Sequence, residues 1–245
     1  MQGVTIDWCT GWCEVHQWQT LIAAGLALLG AIATVIVLLC QIRQSDAHAA
    51  EIRRRKARAA RAAMPGALSS LIAYSEHSGK LAALIWQAIK CDEVGQDFDQ
   101  ALIGTAPEIP QEALAVLKEC IEHSEDEPAA RIAEIFKSLQ IQHSRLADLY
   151  LGFRAHDKPS LSGVIKVLTP SNAELSIYDA ALLHADIEKL FRYARGETDK
   201  INEPVERQDV ERALFFFSIE RSAYPGVYDL LARRMPSASP PNNSS

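Results

Sequence analysis

The segment Leu21–Cys40 (LIAAGLALLGAIATVIVLLC) constrains this chain more than any other. It is twenty residues interrupted only by glycine and threonine, within a stretch from Glu14 to Arg43 that carries no fixed charge between its ends. At about 1.5 Å of rise per residue, twenty helical residues span about 30 Å, the thickness of a bilayer's hydrocarbon core. A cleaved signal peptide needs a basic start and an apolar core of about 7–15 residues. Here the start is acidic and the core longer. A buried helix of a soluble domain rarely runs so far without a polar face. The segment reads as a transmembrane helix over 18–42, with Trp18 as an interfacial anchor.

Lysine and arginine set its direction, because bases flanking a span stay on the cytoplasmic side. Residues 1–42 contain none, whereas Arg43, Arg53, Arg54, Arg55, Lys56, Arg58 and Arg61 follow. The pattern predicts a short extracytoplasmic segment over 1–17, a basic juxtamembrane helical stem over 43–64, a cytoplasmic helical domain over 65–235 and a disordered Ser, Pro and Asn tail over 236–245. Cys9 and Cys13 then lie where disulfides form, and either close a small ring or stay unpaired; Cys91 and Cys120 are expected as reduced thiols. Three residues separate Cys9 from Cys13, where a redox dithiol has two.

Composition excludes several classes. With 48% hydrophobic and 23% charged residues, 12 Gly and 11 Pro, the chain is not collagen-like, a disulfide scaffold or wholly disordered. Its net charge of −6 averages over opposites: seven bases against two acids in 43–61, and 18 bases against 27 acids in 62–245. The acidic body offers no basic face for nucleic acid. The basic run is a topology signal, and Arg53, Arg54, Arg55 and Lys56 are also expected to attract anionic head groups by about 1 kcal/mol each. It lacks the interleaved aromatics of a nucleic-acid groove.

The fold class is all-α: the transmembrane helix, the stem, then a cytoplasmic bundle of about six helices. From Ser45 to Ala63 the chain is rich in Ala, Arg and Lys, all strong helix formers. Met64, Pro65 and Gly66 are expected to kink or break that helix. Helices are predicted near 67–91, 110–124, 128–154, 172–196, 204–222 and 225–234, with Pro110, Pro128, Pro204 and Pro225 opening first turns. Ser171 and Glu174 match a capping box. Val164–Thr169 is the one strand-like run and is taken as a short helix or loop. Ile132, Phe136, Leu139, His143, Leu146, Tyr150 and Phe153 form one stripe at spacings of four and three. Leu68, Ile72, Ser75, Gly79, Ala82, Trp86 and Ile89 form another, whose small middle members let a neighbouring helix approach. Leu175–Ala194 is apolar on nearly every side, and Phe215, Phe216 and Phe217 cover most of a helical circumference, so both helices are expected at the centre.

Candidate chemistry is sparse. His143 has no carboxylate three or four positions away on its helix and is expected to be a core-edge histidine with one hydrogen bond. His184 and Glu188 share a face at i and i+4, a spacing that could present two ligands to one ion, but such pairs arise often by chance and the Glu-x-x-His pattern of a di-iron bundle is absent. No catalytic, cofactor or metal residue is assigned. Gly25 and Gly30 miss the dimerisation spacing by one, while Ala23, Ala27 and Ala31 repeat at four and offer a weaker face for homo-oligomerisation. There is no phosphate loop, nucleophile elbow, kinase or zincin signature.

The segment Gln17–Leu29 (QWQTLIAAGLALL), the alanine-arginine stem and the following MPGALSSLIAY resemble functionally uncharacterised single-pass membrane proteins of proteobacteria, over about the N-terminal third of the chain. The resemblance implies a bacterial inner-membrane location. The function expected from these features is a membrane-anchored cytoplasmic helical interaction or scaffolding module with a protein partner. The alternative is a membrane-tethered enzyme of unrecognised type with a site among the bundle helices, which convergence of His143, His184 and Glu188 in one cavity would favour.

Overall fold

The computed structural model describes residues 8–94, 98–155, 168–201 and 203–236. Its elements are helical: α1 (Trp8–Val94), a 3₁₀ turn (Gln100–Leu102), α2 (Gln111–His123), α3 (Asp126–Ala155), α4 (Pro170–Ala194), α5 (Arg207–Phe216) and α6 (Pro225–Arg234). No strand occurs among the described residues. Residues 164–167 of the strand-like run, the side chains of Cys9 and Cys13, and the tail beyond Pro236 lie outside them. The chain divides into two compact units, Met1–Arg53 and Arg54–Ser245.

In the first unit, α1 is long and apolar enough to cross a membrane, and none of its apolar window is buried. Leu21 is 65% exposed and Leu39 53%. The hydroxyl of Thr34 donates to the Gly30 carbonyl at 2.8 Å, so the one hydroxyl in this stretch is satisfied within the helix.

The second unit is a bundle built around α4. From Ala173 to Phe191 no residue of α4 is exposed, which matches its all-round apolar pattern. Its N-cap is Thr169, whose hydroxyl accepts from the Asn172 amide at 3.2 Å, and Pro170 occupies the first turn, where its missing N–H has no partner to lose. The expected Ser171–Glu174 box is therefore not the cap; Glu174 instead accepts from the Trp86 indole N–H at 3.2 Å. Helix α3 buries Ile132, Ile135, Leu139, Gln142, Leu146, Leu149 and Gly152. Phe136, His143, Tyr150 and Phe153 of the expected stripe are only half-buried, because the face is centred between them and the adjacent ridge.

Three expectations are corrected. Helix α1 runs through Pro65 without interruption, since Met64, Leu68 and Leu71 on either side are fully buried and that burial outweighs the single hydrogen bond a proline removes. Helix α5 starts at Arg207 rather than Pro204, because the Asp209 carboxylate accepts from the Glu206 amide at 2.9 Å and fixes the first turn there. It also ends early, at Phe216. The Ile219 amide reaches back to the Leu214 carbonyl and the Ser218 amide to that of Phe215, both at 2.9 Å, with Ser218 in the left-handed region at φ 62°. This is a Schellman stop.

That stop decides the fate of the three phenylalanines. Only Phe217 is buried; Phe215 is 77% exposed and Phe216 47%, so the expectation that the whole run is central fails. The Phe217 ring lies against Gly79, where a Cβ would stand 2.4 Å from Cδ2 and 2.6 Å from Cε2. The small residue in the α1 stripe thus admits an aromatic ring. Gly79→Ala is expected to destabilise the body by about 1–3 kcal/mol through overpacking, measured as a lower midpoint in denaturant unfolding; an unchanged midpoint would contradict this packing.

Candidate functional site

Along α1, α3 and α4 the apolar core falls into two clusters. One holds Met64, Leu68 and Leu71 of α1, Ile132 and Leu139 of α3, and Leu183, Ile187 and Leu190 of α4. The other holds Leu81 and Ile85 of α1, Leu146 and Leu149 of α3, and Ala173, Ile177 and Ala181 of α4. Where the two clusters meet, buried polar residues occur: Ser75 and Ser78 on α1, Gln142 on α3 and His184 on α4. A polar belt therefore interrupts the core, and burying such groups costs stability unless they bond one another.

Most of them do. The Tyr74 hydroxyl lies 3.0 Å from Gln142 Oε1 and 3.0 Å from His143 Nδ1, and burial pushes the phenol up to about 12, with Ser78 opposing the shift. His143 is thus the half-buried histidine with one hydrogen bond that its sequence position suggested. Ser78 Oγ and Gln142 Nε2 have no partner among the described residues. His184 is buried, between Ser75 at 3.1 Å and the rings of Phe216 and Phe217, with centroids at 5.9 and 5.4 Å.

Counting protons gives the direction of the contact between Ser75 and His184. Ser75 has one hydroxyl proton, and it goes to the Ile72 carbonyl at 2.8 Å. The contact to His184 therefore runs the other way, with Nδ1–H donating to Ser75 Oγ. Burial holds the imidazole below its ordinary pKa, only partly offset by Glu76, which favours the neutral ring, the form whose Nε2 carries a lone pair. That atom lies 3.8 Å from Glu188 Oε1, outside hydrogen-bond range. Two acceptors face each other.

Glu188 lines a cleft of about 490 Å³ together with Ile72, Phe191, Arg195, Asp209 and Arg212. Burial raises the Glu188 carboxyl, opposed mainly by Arg212. Burial alone would raise Asp209 too, but the Lys189 ammonium at 2.8 Å and the Glu206 amide hold it below the usual carboxylate range. Arg192 is paired with Glu203. Arg212 Nη1 stands 3.8 Å from Glu188 Oε2 and 3.7 Å from Asp209 Oδ1, too far for a hydrogen bond to either.

The structure brings His184 and Glu188 together as their spacing suggested, while His143 engages Tyr74 instead. No group of three or more His, Cys, Asp or Glu side chains able to hold a metal occurs among the described residues. Sequence reading missed Tyr74, Gln142, Lys189, Asp209 and Arg212. The signal for the first two was present, since polar residues recur at one level of two otherwise apolar helix faces; pairing α5 with α4 required the fold. No family model, no curated protein and no solved structure matches the chain.

The belt makes stability depend on pH. His184 has a folded-state pKa below its ordinary 6.5, so its contribution is fully present above the unfolded value and is lost as pH falls through it. Asp179, Asp186 and Glu188 are raised by burial and act in the opposite sense, so a variant must isolate the histidine. Between about pH 7.5 and 5.5 the wild type should lose about 1 kcal/mol more than His184→Gln in denaturant unfolding followed by circular dichroism. Equal losses would mean that His184 is not held neutral.

Proposed function

We propose that the protein is a membrane-anchored helical interaction or scaffolding module of the bacterial inner membrane, with its N-terminus outside and its body in the cytoplasm. The observation that carries the reading is the apolar stretch Leu21–Cys40, no part of which is covered by protein. Leaving that surface in water would be costly, at about 25 cal/mol per Å² of apolar area. The direction follows from the placement of every early base after the span. Interaction rather than chemistry is favoured by the exposed Phe215–Phe216 pair, whose ring centroids lie 6.2 Å apart. Exposed aromatics of this kind anchor protein interfaces.

Alkaline phosphatase fused after Ser245 should be inactive in a bacterial host, and a fluorescent protein fused there should glow. An active phosphatase would reverse the orientation.

The basic run adds an anionic lipid surface as a partner. Arg53, Arg54, Lys56 and Arg58 are exposed. Arg61 is not part of this set: its Nε donates to the Tyr193 carbonyl at 2.7 Å, its Nη1 to Asp199 at 2.9 Å and its Nη2 to the Thr198 carbonyl, with the guanidinium over the Tyr193 ring. A fragment from Arg43 to Ser245 should bind anionic but not neutral vesicles, and changing Arg53, Arg54, Arg55 and Lys56 to Gln should weaken this at least about tenfold. Equal binding by fragment and variant would leave the run as a topology signal alone.

A further inference from the structure

The outward face of α1 in the body lacks the charges that a solvent-facing helix ordinarily carries. From Ala59 to Ala73 the only charged residue is Arg61, and it is turned onto Tyr193, Thr198 and Asp199. Ala60, Met64, Leu68 and Leu71 are buried in the core. At helical spacing the opposite face is therefore Ala59, Ala62, Gly66, Ser69, Ser70 and Ala73, all exposed. Gly66 stands in the middle of this stripe, where glycine weakens a helix relative to alanine. Nothing within the chain requires it, since a Cβ at Gly66 would meet no atom within 4 Å. Residues this small suit a place where the backbone of another helix comes close.

Charge on either side of the stripe identifies that helix. Along one flank lie bases. Arg54 is eighteen residues, or five full turns, before Ile72, and Arg58 is eleven residues, about three turns, before Ser69; Ser69 and Ile72 border the cleft with α4 and α5. The other flank carries Tyr74, in contact with Gln142 and His143 of α3, and beside α3 lies α2, in one core cluster with Ala60 and Ala67. On that side Glu119, Glu122 and Glu125 are exposed. Neither these acids nor Arg54 and Arg58 form an ion pair among the described residues. The two sets also stand at similar levels along α1. Ser124 Oγ lies 3.4 Å from the Tyr193 hydroxyl, and Arg61, one turn after Arg58, donates to the Tyr193 carbonyl at 2.7 Å.

We propose that the body forms a parallel twofold dimer through this face of α1, with Arg54 and Arg58 of each copy meeting Glu119, Glu122 and Glu125 of the other. A twofold axis along the stripe sets the α2 flank of one copy against the α4–α5 flank of its partner, so the two unpaired sets meet twice. An antiparallel pair would set acid against acid, and an anionic lipid surface would be repelled by the same carboxylates. The parallel sense rests on the membrane-anchored reading above, under which two copies enter one bilayer in the same direction.

The test is light scattering of the full chain in neutral detergent, read as protein mass against 27.0 kDa per chain. The wild type should give two chains. Gly66→Leu places its side chain in open space, so it should keep the wild-type circular dichroism while blocking the close approach, and should give one chain at the same concentration. Arg58→Glu and Glu122→Lys should each weaken association at least about tenfold, since each contact occurs twice and its sign is reversed. Both changes in one chain should recover most of that loss. A wild type of one chain, a folded Gly66→Leu that stays paired, as it would if Ala23, Ala27 and Ala31 of the span alone held the dimer, or a double variant without recovery would each overturn the proposal. The phosphatase fusion reads the anchor independently, so the dimer face and the anchor fail separately.

Discussion

Helix α4 has no side it can give to water, and the rest of the body follows from covering it. From Ala173 to Phe191 every residue is buried or half-buried, so α1, α3, α5 and α6 must all find places around one helix. The polar groups of α4 are tied down at its edges: Asp186 by Arg131, and Asp179 by Arg145 and more distantly by Arg234. Partly buried ion pairs of this kind contribute little net stability, but removing one partner leaves a charge without compensation. Their effect is to fix which face of α4 meets α3 and which meets α6.

The belt of Tyr74, Ser75, Gln142, His143 and His184 works against core stability and for register. Two apolar clusters could slide along each other with little penalty; a level of specific hydrogen bonds cannot. Arg61 reaches the Tyr193 carbonyl in the last turn of α4 and the Thr198 carbonyl beyond it, where a cation also suits the helix dipole. The cleft lined by Glu188 lies beside the belt, Glu188 standing one helical turn beyond His184.

Much of this was legible in the sequence because it is local. The periodicity of α3 and the apolar circumference of α4 each gave an element close to its observed extent, and the charge-free run before Arg43 marked a helix able to span a membrane. The features that were not legible depend on contacts across the fold. Pro65 reads as a break until Met64 and Leu68 are known to be buried. The three consecutive phenylalanines read as core until the stop at Ser218 turns two of them outward. Arg61 reads as one more base of the stem, and only the position of Tyr193 shows that it belongs to the body. His184 and Glu188 were visible as a pair, but the direction of the Ser75 hydrogen bond, which makes them two acceptors, needs the Ile72 carbonyl.

The central claim is that Leu21–Cys40 lies in a bilayer. Its surface is apolar and uncovered, and Trp18, just before the segment, is 67% exposed, as an interfacial anchor would be. The direct measurement is fluorescence of Trp18 as the only tryptophan, with Trp8, Trp12 and Trp86 changed to Phe, in vesicles whose lipids carry bromine at graded depths. Strongest quenching by the shallowest bromines is the result expected of an interfacial anchor; emission unaffected by bromine at any depth would contradict the account.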